Sequence, residues 1–152
     1  MIEISNVTAL GDRLNQEVAV SDWIDVTQAR IDRFAEATED RQWIHVDPVR
    51  AEQSPFKTTI AHGFLTLSLI SALGQKAMRI DGLRMAINYG LNRVRFVSPV
   101  PAGSRIRGHF MPIAVSPENE SVQVTWRITI ERESAGKPCC VADWIVRYYP
   151  LR

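Results

Sequence analysis

Between Gly63 and Gly74 the chain reads GFLTLSLISALG, a stretch without a single charge. Wound as a helix from about His62 into the Gln75–Arg79 region, it places Phe64, Leu65, Leu67, Leu69, Ile70 and Leu73 in nearly every direction around the axis. A helix that is apolar all round is buried on all sides. The stretch from Thr58 to Gly74 contains His62, Ser68 and Ser71 and falls short of the ~20 continuous apolar residues of a membrane span. The rest of the chain must therefore wrap around it. With 152 residues, 45% of them apolar, there is material to do so, since a domain of this size buries roughly 68–70% of its unfolded surface.

The wrapping material follows in sequence. Residues 121–131, SVQVTWRITIE, alternate with Val122, Val124, Trp126, Ile128 and Ile130 on one face and Gln123, Thr125, Arg127, Thr129 and Glu131 on the other, the pattern of a half-buried strand. Residues 91–98 and 104–113 alternate over shorter runs, with a turn at Pro101-Ala102-Gly103 between them. Residues 138–149 are apolar on both faces over part of their length, which suits a central strand or a subunit interface. Upstream, Thr27 is a good N-cap, and Ile31, Phe34, Ala35 and Thr38 form one stripe of a surface helix. Helices first and strands after suggest an α+β fold, a curved antiparallel sheet around one buried helix.

No repeat, linker or low-complexity segment divides the chain, so residues 1–152 are expected to form a single domain. Eighteen basic against seventeen acidic residues give a net charge of +1 and no electrostatic footprint for nucleic acid. Cys139 and Cys140 are adjacent and suit neither a disulfide nor a metal site. The N-terminus lacks the basic start and apolar run of a signal peptide, and a cytoplasmic protein is expected.

The polar residues of interest lie between the two helices. Asp40 and His45 stand five apart, with Asp47 two further on. They can be read as a helix end, a loop histidine and an Asx turn, or as an acid and an imidazole poised for proton transfer. Ile60-Ala61-His62-Gly63 then opens the buried helix. A helix start presents unpaired N–H groups. Gly63, without a Cβ, either permits tight packing or lets a ligand carbonyl reach those groups.

FAEATEDRQWIHVDPVRA, followed by FKTTIAHGFL, resembles the hydratase-2 signature of the MaoC-like dehydratases, a family with a hotdog fold that includes (R)-specific enoyl-CoA hydratases. Phe34, Asp40, Ile44, His45, Val46, Asp47, Pro48 and Ala51 stand in register with the family pattern. Gln42 and Trp43 replace its Asn-Pro, and Glu39 stands where glycine is common. NYGLNRVRFVSPVPAGSRIRG is similar to the family's strand and turn, so the likeness covers roughly residues 27 to 108.

The resemblance implies Asp40 and His45 as the catalytic pair and Gly63 as the backbone donor to a thioester carbonyl. Water held by the pair adds to the β-carbon of a trans-2-enoyl-CoA, and a proton reaches the α-carbon from the same face. No metal and no resident cofactor is called for, coenzyme A being part of the substrate. His62 orients the loop or meets substrate. Asn88 and Asn92 are candidates for supporting contacts, while Arg93 and Arg95 either meet the phosphates of coenzyme A or are solvated strand charges. His109 reads as an exposed strand residue. The resemblance also implies a homodimer whose two sheets join, the strand ending in Trp144–Tyr149 being a candidate for that contact. Rival readings are a hotdog acyl-CoA thioesterase, a dehydratase of carrier-protein substrates, and a non-catalytic acyl-CoA-binding or partner subunit. Thr58–Gly74 lacks the carboxylate expected of the first, and the last would be expected to lack Asp40 or His45.

Overall fold

A computed structural model describes residues 1–151. The chain opens with β1 (Ile2–Ile4), a 3-10 turn over Val7–Arg13, and two short strands, β2 (Ala19–Val20) and β3 (Ile24–Val26). The helices come next, before the long strands begin. Helix α1 (Gln28–Thr38) starts where Thr27 accepts a hydrogen bond from the Arg30 N–H, and it buries Ile31 and Ala35. It ends at Glu39 in the left-handed conformation (φ 62°). Glycine suits that geometry best, which explains its frequency at this place in the signature and makes the glutamate here a mildly strained substitute.

Two single-turn helices, α2 (Trp43–Val46) and α3 (Pro48–Ala51), follow, and the Asp47 carboxylate caps the second by accepting from Arg50 N–H. Trp43 occupies the first position of α2, a position that proline fits well. Its ring is covered by the Arg50 guanidinium at 4.4 Å.

The uncharged stretch is two helices, α4 (Gly63–Ser68) and α5 (Ile70–Ala77), broken at Leu69. Ser68 Oγ donates back to the Phe64 carbonyl at 2.7 Å, a local bond that competes with the helical ladder and bends it. The helix stops at Ala77 because Met78 turns extended and enters β4 (Met78–Ile80), which pairs in parallel with β1. Burial is also less complete than the sequence suggests. Leu65, Leu69, Ile70, Leu73 and Ala77 are in the core, whereas Phe64 is 67% exposed because no described segment of the chain covers that face.

Four long strands complete the fold: β5 (Leu83–Arg95), β6 (Ser104–Pro117), β7 (Val122–Arg132) and β8 (Cys140–Pro150). The antiparallel sheet runs β2-β6-β7-β8-β5, with β3 also on β6. This is the hotdog arrangement, a sheet curved around a helix. The alternation read in β7 is matched by its burial: Val122, Val124, Trp126, Ile128 and Ile130 all face the core. Gly108 on β6 brings the helix close, since a Cβ there would lie 3.3 Å from that of Leu73.

One alternative is settled and two expectations are corrected. β8 lies between β7 and β5, the central position that its two apolar faces allowed, and β5 is the edge. That edge strand begins at Leu83, eight residues before the alternation becomes legible, and ends at Arg95 after a bulge where Arg93 takes φ 53°. His109 is not a free surface residue; it sits between Glu17 (Nδ1, 2.8 Å) and Glu131 (Nε2, 3.2 Å), tying the segment before β2 to β6 and β7.

Phe110, fully buried, packs edge-on against Trp126 at 6.4 Å and against the helix beside Gly74. Phe110→Ala is therefore expected to lower unfolding free energy by about 3–5 kcal/mol, measured by urea denaturation, with the denaturant slope unchanged.

Candidate active site

The segment from Glu39 to His62 is tied down by a set of hydrogen bonds. Ile60 N–H donates to the Ile44 carbonyl at 3.0 Å, and His45 Nδ1 lies 2.7 Å from the Ile60 carbonyl. A carbonyl only accepts, so Nδ1 carries the proton and Nε2 presents its lone pair. Gln28 joins the same region from α1: its amide nitrogen donates to the His45 carbonyl at 2.7 Å, and its amide oxygen accepts from the Thr59 hydroxyl.

His62 closes the other side. Its Nε2 donates to the Asp40 carbonyl at 2.9 Å, and its ring lies between Phe34 (centroids 4.9 Å apart) and His45 (3.8 Å, stacked). One nitrogen of each imidazole and a carboxylate oxygen of Asp40 come within 4.8 Å of one another. His45 and His62 are buried, at 7% and 2% exposure, while Asp40 is exposed. The cluster thus has a dry side and a wet side.

Beside it is a cavity of ≈ 310 Å³ lined by His45, Phe56, Gly63, Thr66, Phe96 and Cys139 among others. A Cβ at Gly63 would meet the Phe96 ring at 2.8 Å, so any other residue there requires that ring to move. Cys139 contributes a thiol but no nucleophile: burial pushes it up to about 11, and Cys140 up to about 12.

Asp40 and His62 are therefore brought together with His45, which lines the cavity beside Gly63. Asn88, Asn92 and Arg93 are not; all three lie on β5, and none lines this cavity. Asn88 accepts from Trp144 Nε1 at 3.1 Å and borders a separate cavity of ≈ 340 Å³ against α5. Asn92 is paired opposite Asp143 on β8, and Arg93 is exposed at the bulge. Gln28, Thr59 and Phe96 were invisible in the sequence. A glutamine at the first turn of a surface helix carries no mark of a partner seventeen or thirty-one residues away.

Residues 9–131 match the MaoC like domain. The chain belongs to the MaoC-like dehydratase family. It is 48% identical over 149 residues to 3-hydroxyacyl-thioester dehydratase Z of Mycobacterium tuberculosis, covering 97% of this chain and 99% of that protein. It is 50% identical to Nodulation protein N of Rhizobium leguminosarum bv. viciae, over 88% of this chain and 84% of that one. Among solved structures, the R-hydratase PhaJ1 of Pseudomonas aeruginosa superposes with a TM-score of 0.70 at 25% identity, covering 91% of this chain and 83% of that one. Membership of a dehydratase and hydratase family makes hydro-lyase chemistry the class of reaction. Among the described residues no helix is long and apolar enough to cross a membrane.

Burial, the largest influence on the His45 imidazole, holds its pKa below the ordinary histidine value, against the stabilising Ile60 carbonyl. The unfolded chain then binds a proton that the folded chain resists. Stability attributable to His45 is complete above the unfolded pKa near 6.5 and is lost as pH falls below it toward the depressed folded value. His45→Asn is expected to flatten the fall in unfolding free energy below about pH 6.5, as read from denaturant midpoints across pH.

Proposed function

We propose that the protein catalyses the reversible syn hydration of a trans-2-enoyl-CoA to an (R)-3-hydroxyacyl-CoA. The carrying observation is that an Asp40 carboxylate oxygen and an imidazole nitrogen of His45 lie within 4.8 Å of each other, with His45 itself lining a mostly apolar cavity together with Gly63. The full-length likeness to a 3-hydroxyacyl-thioester dehydratase and the fold shared with an R-hydratase support the same reading.

The chemistry follows from what each group can do. Water sits between His45 Nε2 and Asp40 and donates to both. Its oxygen forms the bond to the β-carbon while one O–H bond breaks, the proton passing to the pair. The π electrons move toward the thioester carbonyl, whose oxygen accepts from Gly63 N–H. The pair then returns the proton to the α-carbon on the face from which water came, so the addition is syn. His45 and Asp40 share one water and titrate as a unit, so the proton belongs to the pair rather than to either residue. Burial helps by keeping the imidazole neutral and able to accept. No resident cofactor is required, because the thioester itself acidifies the α-carbon.

Loss of the enoyl-thioester absorbance on mixing with crotonyl-CoA and a longer trans-2-enoyl-CoA tests this directly. Asp40→Asn and His45→Asn are each expected to lower kcat/KM by about 10²–10⁴-fold with thermal transitions retained. Release of free thiol with the double bond intact would instead establish a thioesterase. Binding of acyl-CoA with neither reaction would leave only a binding subunit.

The same reading includes a homodimer formed through β5. This strand of 13 residues is paired on one side only, and Met85, Ile87, Tyr89 and Leu91 are 42–56% exposed along it. An unpaired edge of that length is normally covered. Asn88, Asn92 and Arg93 are assigned to substrate contact only through this pairing, because none of them reaches the cavity within one chain. Light scattering should give twice the 17.2 kDa chain mass for the wild type and a marked shift toward the single-chain mass for Ile87→Lys.

A further inference from the structure

His62 holds a buried atom that the hydration chemistry leaves without a use. Its Nε2–H is spent on the Asp40 carbonyl, so Nδ1 carries a lone pair; that atom is buried and has no hydrogen-bond partner among the described residues. An orphaned buried acceptor is costly unless something comes to meet it. His45 is arranged in the same way, its Nδ1–H on the Ile60 carbonyl and its other nitrogen free. One nitrogen of each ring and an Asp40 carboxylate oxygen come within 4.8 Å of one another.

We infer that Asp40, His45 and His62 form a binding site for a divalent transition-metal ion, and that such an ion silences the reaction when it binds. Metal-ligating imidazoles characteristically give their second N–H to a backbone carbonyl or carboxylate, which fixes the tautomer and the ring. Both rings here already do so. Two imidazole nitrogens and one carboxylate oxygen form a borderline donor set, suited to zinc, cobalt, nickel or copper rather than to magnesium or calcium. Three protein ligands leave one position open to water.

The geometry requires the ring stack to open. Donors around tetrahedral zinc lie roughly 3–3.5 Å apart, against a present spread of up to 4.8 Å, and the stacked rings, tilted by 23°, must pivot about their carbonyl bonds for the lone pairs to converge. Asp40, exposed and on a loop, supplies the freest of the three movements. Once bound, the ion occupies the His45 lone pair that would accept the proton of water. Inhibition rests on the proposed hydratase reading, whereas the binding itself does not.

The test is a titration of the metal-stripped full-length chain with cobalt(II), read by its visible d–d absorption, and with zinc(II), read by calorimetry. Asp40→Asn and His62→Gln are titrated beside the wild type. Expected are one ion per chain, an intense tetrahedral-type band, and affinity at least about tenfold weaker in each variant. Absence of the band, or affinity that survives His62→Gln with the fold intact, overturns the site. If His62→Gln fails to fold, Asp40→Asn, at an exposed position, decides in its place. A parallel crotonyl-CoA assay separates the two claims: binding that leaves hydration undiminished overturns the silencing. In a chain that hydrates nothing, the cobalt spectrum still decides whether the ion binds.

Discussion

The hydrogen bond from His45 Nδ1 to the Ile60 carbonyl joins two segments that are far apart in the chain. One belongs to the loop after α1, the other to the approach to the buried helix. The neighbouring bond from Ile60 N–H to Ile44 and the bridge through Gln28 to Thr59 run between the same segments. Each such bond contributes about 1 kcal/mol net, but breaking one strands a buried donor or acceptor at greater cost. The loop therefore keeps one geometry without a core of its own. Together with the His62 tether to the Asp40 carbonyl, this set of bonds passes the rigidity of the helix and sheet to the site.

The helix and sheet fix the other half. Leu65, Leu69, Ile70 and Leu73 pack under β6, β7 and β8, which places the first turn of α4 at the rim of the core rather than inside it. Gly63 and Phe96 are in contact there, so the first backbone N–H of the helix stands at a cavity wall with no side chain of its own in the way. An apolar wall matters electrostatically, because a charge developing on a bound carbonyl is screened less than in water. It also explains the depressed pKa of His45, which follows from desolvation more than from any charged neighbour.

Much of this was legible in the chain and some was not, for physical reasons. The strand at 122–132 could be read because one face is buried and the other wet, giving strict alternation. The first half of β5 is harder to read, because Met85, Ile87, Tyr89 and Leu91 alternate with Ala86, Asn88 and Gly90, residue types depleted in strands, and their side chains stay exposed on an unpaired edge. The uncharged stretch announced a core helix, yet Phe64 lies exposed, since apolar composition records that burial is wanted and not which segment supplies it. Asp40, His45 and Gly63 were found because their spacing follows a family signature. Gln28, Thr59 and Phe96 act through contacts across the fold, and such contacts leave no local trace.

The dry and wet sides of the site are not independent. Burying His45 enough to keep it neutral also required burying what it stacks upon, and that neighbour is His62 rather than an aliphatic residue. A leucine there would have desolvated His45 equally well but could not have donated to the Asp40 carbonyl, leaving the loop with one bond fewer. The imidazole therefore serves as both a flat packing surface and a tether. Its remaining nitrogen follows from that dual use: one ring has two nitrogens, and the tether consumes only one. The orphaned acceptor is thus a consequence of building a rigid, desolvated site from a short loop. Water is the species the proposed reaction needs, and a metal ion is a chemically stronger competitor for the same lone pairs.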